Sequence, residues 1–133
     1  MSGMKLINGE NLKIENVVAI ARQEGAKVKL TENAREKVIR SRKLLERLVA
    51  EEVEIYGVTT GFGELSKIKI SEKQCKMLQK NLIRSHAAGV GEPLAADIVR
   101  AIMLLSANAL AHGYSGIKLK TLETLIEMIN KNI

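Results

Sequence analysis

Apolar side chains recur at helical spacing along most of this chain, in segments that open on capping residues or close at glycines. Hydrophobic residues make up 46% of the 133 residues, whereas aromatic residues make up only 2%. The core must therefore be built from aliphatic side chains and methionine rather than from rings. We expect a mainly α fold in a single domain over residues 1–133.

Five segments are predicted to be helical, and one short segment is predicted to be a strand. Ser71 and Gln74 match a capping box at the start of the third helix, and Pro93 suits the first turn of the fourth. The KVKL sequence at 27–30 alternates in polarity, which indicates a small β-element with the N-terminal residues. The predicted helices cover 14–24, 31–54, 71–88, the segment from Pro93 to Gly113, and the segment from about Lys120 onward.

Each of the longer helices carries an apolar stripe that we expect to be buried. The second has Val38, Leu44, Leu45, Leu48 and Val49, and the third has Cys75, Leu78 and Leu82. The fourth has Ile98, Ile102, Leu105 and Ala109, and the last has Leu122, Leu125, Ile126 and Ile129. The chain stops at NKNI without an evident C-cap for that last helix.

The composition argues for a protein of the cytoplasm and against several other classes. No apolar run approaches the roughly 18 residues needed to cross a bilayer. The start, MSGMKLING, lacks the pattern of a signal peptide. The single cysteine, Cys75, has no partner for an internal disulfide or a metal cluster.

The net charge of +6 raises the question of nucleic-acid binding. Lysines and arginines are scattered among carboxylates, as in RSRKLLER and KIKISEKQCK, and no aromatic residues interleave with them for base stacking. This pattern is typical of a solvated surface, so we expect no nucleic-acid partner.

Residues 56–63, YGVTTGFG, place two of the three aromatic side chains in a glycine-rich stretch. The glycine spacing fits neither phosphate-binding loop, and no Lys-Ser or Lys-Thr follows Gly63. Two interpretations of Tyr56 remain open. Its ring packs at the end of the second helix, or its phenol sits on a glycine loop that closes over a site and exchanges a proton.

The two histidines, His86 and His112, each fall in the final turn of a predicted helix. A histidine there can bond free carbonyls and complement the negative helix end, which is a structural role. Neither has a second ligand at metal spacing, so we expect no metal site. Cys75 on an apolar stripe is expected to be a small buried side chain.

Three ordered blocks of sequence resemble the N-terminal part of the histidine ammonia-lyases, within the aromatic amino acid ammonia-lyase and aminomutase family. They are YGVTTGFG at 56–63, LIRSHAAGVGEPL at 82–94 and VRAIMLLSANALAHGYSGI at 99–117. The resemblance covers nearly the whole chain. It implies a lyase fold, a homo-oligomer and a small-molecule amino acid substrate, with histidine favoured over tyrosine or another aromatic amino acid by the SHAAGVG form.

The resemblance also implies residue roles. Enzymes of this kind convert L-histidine to urocanate and ammonia with an electrophile, 4-methylideneimidazol-5-one, formed from an internal Ala-Ser-Gly. Tyr56 matches the tyrosine that acts as the catalytic base, supported by the loop residues Gly57, Gly61, Phe62 and Gly63. His86, after Ser85, matches a histidine that lines the substrate pocket. A phenol is protonated near neutrality, so this role requires nearby positive charge or hydrogen-bond donors.

No Ala-Ser-Gly occurs in the 133 residues, and Tyr114-Ser115-Gly116 is the nearest match. We therefore expect that this chain alone releases no ammonia, and that it forms no electrophile of its own. Three interpretations stay open: part of a longer lyase, a subunit that assembles with a chain carrying the electrophile, or a stand-alone helical binding or regulatory module. Exposed apolar surface would favour the first two. We expect this chain to self-associate, as a dimer.

Overall fold

The computed structural model describes residues 4–23, 25–60 and 72–133, and within the helix that starts at residue 72 it describes side chains from Met77 onward. The prediction of a mainly α fold with a small β-element is confirmed. Along the described residues, the order of elements is β1 (Met4–Ile7), α1 (Ile14–Arg22), β2 (Lys27–Leu30), α2 (Glu32–Ala50), α3 (Glu72–His86), α4 (Ala96–Ala111) and α5 (Leu119–Lys131).

The two strands form a parallel pair, with α1 as the crossover between them. The register places Met4 opposite Lys27 and Ile7 opposite Leu30. In β2 the burial alternates, because the two lysines point to solvent while Val28 and Leu30 are buried. This alternation is the one that the KVKL sequence predicts.

The contacts divide the chain into two compact units, and the single domain predicted for residues 1–133 stays a prediction. Unit 1 comprises residues 1–44 and 93–133, and unit 2 comprises residues 45–92. Unit 1 contains the aliphatic core, into which β1, β2 and four helices send side chains. The core residues are Ile7, Ile20, Ala26, Val28, Leu30, Ala34, Val38, Leu104, Ala107, Ala111, Leu122, Ile126 and Ile129.

Arg100 ties two helix ends together inside unit 1. Its half-buried guanidinium donates to the Ile20 carbonyl in the last turn of α1 at 2.8 Å and to the Ile129 carbonyl in the last turn of α5 at 2.8 Å. A cation at the negative ends of two helices is favourable, and here it donates hydrogen bonds to carbonyls in their last turns. Asn132 caps α5 in the left-handed conformation (φ 58°), which corrects the expectation that α5 has no C-cap.

The predicted buried stripe of α4 is wrong. Ile98, Ile102 and Leu105 are 48%, 50% and 52% exposed, and Ala109 is exposed too. The buried face instead carries Leu104, Ala107 and Ala111. This helix is apolar on both faces, so spacing alone could not decide which face meets the core of unit 1.

Other expected boundaries and stripes hold only in part. Helix α4 begins at Ala96, so Pro93 lies before the helix rather than in its first turn. In α2, Val38 is buried as expected, but Leu44 is 49% exposed. Gly113 follows α4 with φ +78° and donates its N–H to the Leu110 carbonyl at 3.1 Å, as expected for the residue after a helix. None of the described helices is long and apolar enough to span a membrane.

Candidate active site

Tyr56 opens a turn formed by residues 56–59, in unit 2, and its side chain is 66% exposed. The next residue, Gly57, has φ +71°, a left-handed conformation that favours glycine and lets the chain turn directly after the tyrosine. The ring of Tyr56 is therefore mostly exposed, which argues against its packing at the end of the second helix, the first of the two interpretations. The phenol is presented on the surface of a tight turn.

Thr59 holds the backbone on the N-terminal side of Tyr56. Its hydroxyl accepts a hydrogen bond from the Ile55 N–H at 2.8 Å and donates one to the Val53 carbonyl at 2.9 Å. Its own N–H donates to the Ile55 carbonyl at 3.0 Å. Thr59 is only 6% exposed, so these bonds are shielded from competing water.

Thr60 completes the frame on the other side. Its hydroxyl accepts the Gly57 N–H at 3.3 Å, and the residue is 4% exposed. Sequence reasoning assigned no role to either threonine. The available signal was a pair of adjacent threonines in a glycine-rich turn, where short hydroxyl side chains commonly bond nearby backbone groups.

Helix α3 contacts the Tyr56 turn through Gln79, whose side-chain N–H donates to the Gly57 carbonyl at 3.4 Å. His86 follows Gln79 by seven residues, which is two helical turns, so it lies on the same face about 10 Å further along the axis. Unit 2 thus places the predicted substrate-contact residue on the helix face that meets the turn carrying the predicted base.

The imidazole of His86 is exposed at the end of α3. Its Nδ1 lies 2.9 Å from the Leu82 carbonyl oxygen and 3.1 Å from Ser85 Oγ. The structural role expected for a histidine in a last helical turn is therefore present. It occupies one ring nitrogen and leaves the Nε2 edge of the exposed ring for another group.

Several predicted residues lie outside the described part of the chain. Gly61, Phe62 and Gly63 of the expected loop are among them, as are Ser71 of the capping box and the side chain of Cys75. Their expected roles stay predictions.

His112 and Tyr114 lie apart from Tyr56 in sequence and belong to unit 1. The rings stack with centroids 6.2 Å apart, and His112 packs directly over the backbone of Gly9. In the turn that follows α4, the Gly116 N–H donates to Ser41 Oγ at 3.0 Å, and Arg42 donates to the Gly116 carbonyl at 3.3 Å. These contacts support structural roles. Over the described residues, no group of three or more histidine, cysteine or acidic side chains is placed to hold a metal ion.

Known proteins resemble this chain over nearly its whole length. The family model for aromatic amino acid lyases matches residues 12–133. The histidine ammonia-lyase of Caldanaerobacter subterraneus subsp. tengcongensis is 54% identical over 128 residues, which cover 96% of this chain and 25% of that protein. The enzyme of the same name from Clostridium tetani is 53% identical with the same coverage.

Among solved structures, the tyrosine aminomutase from Streptomyces globisporus superposes with a TM-score of 0.90 at 38% identity, covering 96% of this chain and 24% of that one. Histidine ammonia-lyase from Trypanosoma cruzi superposes with a TM-score of 0.87 at 31% identity, covering 96% and 25%. The chain spans about a quarter of the length of the curated relatives it matches. The family model, the relatives and the fold agree, and the chain belongs to the aromatic amino acid lyase family.

Proposed function

We propose that this chain provides the N-terminal part of a histidine ammonia-lyase, which converts L-histidine to urocanate and ammonia. The observation that carries the proposal is the identity above 50% to histidine ammonia-lyases over 128 residues, a span that contains both the Tyr56 and the His86 positions. The sequence identity to the tyrosine aminomutase, 38%, is lower than the identity to these two histidine ammonia-lyases. Histidine is therefore the proposed substrate, and tyrosine is the alternative that the assay below separates.

In this proposal Tyr56 is the general base. The reaction removes a proton from the β-carbon of the substrate and the amino group from the α-carbon, leaving a carbon–carbon double bond. A phenolate oxygen at Tyr56 takes that proton. The exposed side chain, and a backbone held on both sides by Thr59 and Thr60, support this role because a base must be kept in reach of the proton that it abstracts.

His86 is the proposed contact for the substrate side chain. It stands on the α3 face that meets the Tyr56 turn, about 10 Å along the helix from that contact. An imidazole can donate to or accept from a substrate imidazole, which makes histidine a suitable partner for a histidine substrate.

We propose that the electrophile is supplied from outside these 133 residues. 4-Methylideneimidazol-5-one would supply an electrophilic carbon that makes the amine a better leaving group. Its formation requires Ala-Ser-Gly, whereas Tyr114-Ser115-Gly116 begins with tyrosine and has its glycine N–H engaged by Ser41. The residues present do not fit this group, and we propose that the chain alone is inactive.

The exposed stripe of α4, defined as Ile98, Ile102 and Leu105, is the proposed contact surface for the polypeptide that carries the electrophile. These side chains are each about half exposed, while the opposite face of α4 is buried in the core of unit 1. The relatives have about three times as much further chain, since 128 residues cover 25% of their length. Apolar surface of this kind is expected where more polypeptide packs.

The test joins this chain to the remaining three quarters of the Caldanaerobacter enzyme, either as one fused polypeptide or as two co-expressed chains. We expect ammonia and urocanate from histidine, with little product from tyrosine, and no product from the 133-residue chain alone. Product from tyrosine but not from histidine would show that tyrosine, rather than histidine, is the substrate. An inactive but correctly assembled fusion would favour a binding or regulatory module, for which the self-contained core of unit 1 is the supporting observation.

A further inference from the structure

Two groups near the end of α3, the Leu82 carbonyl and the Ser85 hydroxyl, meet around a single ring nitrogen of His86. The Leu82 carbonyl oxygen lies 2.9 Å from Nδ1, and Ser85 Oγ lies 3.1 Å from it. The Ser85 hydroxyl in turn donates to the same Leu82 carbonyl at 2.9 Å. These distances decide where the hydrogen of a neutral imidazole is placed.

A carbonyl oxygen only accepts hydrogen bonds, so an imidazole nitrogen at 2.9 Å from it must carry a hydrogen. Without that hydrogen, two lone pairs would face each other. The single hydrogen of the Ser85 hydroxyl is used on the Leu82 carbonyl, so its oxygen offers a lone pair to the same Nδ1–H. The carbonyl lies four residues before the end of α3 and points toward that end, whose negative character favours an N–H over a lone pair.

We propose that the Leu82 carbonyl and Ser85 Oγ hold the neutral ring of His86 in the Nδ1–H form, so that Nε2 is a hydrogen-bond acceptor. Ser85 is then a positioning residue, since it acts on a ligand only through His86. This inference rests on the proposed role of His86 as the substrate contact. It adds the polarity of that contact, which the proposed function leaves open.

An acceptor at Nε2 selects among substrates by what their side chains donate. An imidazole N–H or a phenol O–H satisfies it, whereas an unsubstituted phenyl ring leaves the lone pair unpaired. A site built to hydrogen-bond a donor discriminates strongly against an analogue that lacks it.

The test is the tautomer of His86 in the full 133-residue chain labelled with nitrogen-15. A long-range proton–nitrogen correlation, recorded at a pH where the rings are neutral, separates protonated from bare ring nitrogens. The chain has two histidines, so loss of one set of signals in His86→Gln assigns the spectrum. We expect Nδ1 of His86 protonated and Nε2 bare. The reverse pattern, or averaged shifts matching those of free histidine, would overturn the proposal.

Ser85→Ala and Ser85→Thr form a matched pair for the positioning role. Loss of one of two acceptors is expected to lower the Nδ1–H to Nε2–H ratio about fivefold in Ser85→Ala. Ser85→Thr keeps the hydroxyl and should keep the ratio. An unchanged ratio in Ser85→Ala would show that Ser85 does not position the His86 ring.

All the groups involved lie within five consecutive residues, so the measurement also stands where the free chain is loosely folded. The spectrum is then repeated in trifluoroethanol, which promotes helix, and the same two outcomes apply. The readout does not use activity. A protonated Nδ1 together with an inactive lyase fusion would support this inference and contradict the proposed function. A bare Nδ1 together with an active fusion would contradict this inference and support the proposed function.

Discussion

The carboxamide of Asn130 bonds both backbone groups of Val28, 102 residues away. The Val28 N–H donates to Asn130 Oδ1 at 2.7 Å, and Asn130 Nδ2 donates to the Val28 carbonyl at 2.9 Å. The N–H and C=O of one strand residue point to the same strand edge, so a side chain of α5 takes the place of a neighbouring strand. Asn108 bonds the backbone of Gly9 in the same way. The Gly9 N–H donates to Asn108 Oδ1 and Asn108 Nδ2 donates to the Gly9 carbonyl, each at 3.1 Å.

Asn130→Ala is expected to destabilise unit 1, because it leaves two part-buried backbone groups of β2 without partners. Each unsatisfied group costs about 1–3 kcal/mol, so the free energy of unfolding should fall by at least about 2 kcal/mol. Urea denaturation followed by circular dichroism measures it. Asn16→Ala, at a partly buried helix position that bonds an exposed backbone N–H, is the control and should lose less. Equal losses for the two variants would argue against the strand-like role of Asn130.

Adjacent leucines in α4 provide a matched pair for its two faces. Leu104 is fully buried, and Leu105 is 52% exposed. Leu104→Ala removes core packing and should lower the free energy of unfolding by about 2–5 kcal/mol. Leu105→Ala should stay within about 0.5 kcal/mol in the isolated chain.

In the reassembled lyase, unlike in the isolated chain, a change at the exposed Leu105 is expected to have a large effect. Leu105→Glu is expected to weaken association with the electrophile-bearing segment, because the proposed contact would bury a charge. Sedimentation of the two-chain mixture measures this. Unimpaired assembly of Leu105→Glu would show that the exposed stripe of α4 is not the contact surface.

Three glycines separate backbone strain from steric clash. Gly9 has φ +91°, and a Cβ there would lie 2.7 Å from Cγ of His112. Gly91 has φ +90° with open space, and Gly89 has open space without a left-handed φ. We expect Gly9→Ala to cost the most, Gly91→Ala about 1 kcal/mol from strain, and Gly89→Ala close to nothing. Thermal unfolding of the three variants ranks them, and a Gly9→Ala cost no larger than that of Gly91→Ala would contradict the close packing of His112.

Thr59→Val tests whether the frame around Tyr56 matters for chemistry. Valine keeps the shape of threonine but loses the bonds to the Ile55 N–H and the Val53 carbonyl. In the lyase fusion we expect kcat for histidine to fall roughly 10- to 100-fold, since small displacements of a catalytic group are costly. Thr59→Ser retains the hydroxyl and should stay near the parent rate. Equal rates for the valine and serine variants would mean that the turn holds Tyr56 without this hydroxyl.

Much of the fold could be predicted from periodicity, because amphipathic spacing and glycine stops are local signals. The alternation of KVKL located β2, and the spacing located α1, α2 and α5 to within a few residues. Spacing could not choose the buried face of α4, since both faces are apolar. It also missed Asn132 as a cap, because a left-handed asparagine leaves no pattern beyond its own identity.

The site was less predictable than the fold. Tyr56 and His86 came from a resemblance rather than from spacing, and a histidine in a last helical turn has a structural explanation of equal weight. The bonds of Thr59 depend on a buried turn that sequence does not show. The contact of Gln79 with Gly57 joins residues on two different elements of unit 2, and no local pattern indicates such a pairing.

The central claim is that Tyr56 is the base of a lyase reaction, and the most direct measurement is ammonia release from histidine by the lyase fusion carrying Tyr56→Phe. The matched control is Tyr114→Phe, the same change at an 89% exposed tyrosine of unit 1. We predict that Tyr56→Phe lowers kcat at least about 100-fold while histidine still binds, and that Tyr114→Phe leaves kcat unchanged. A Tyr56→Phe fusion that releases ammonia at the parent rate would contradict the account.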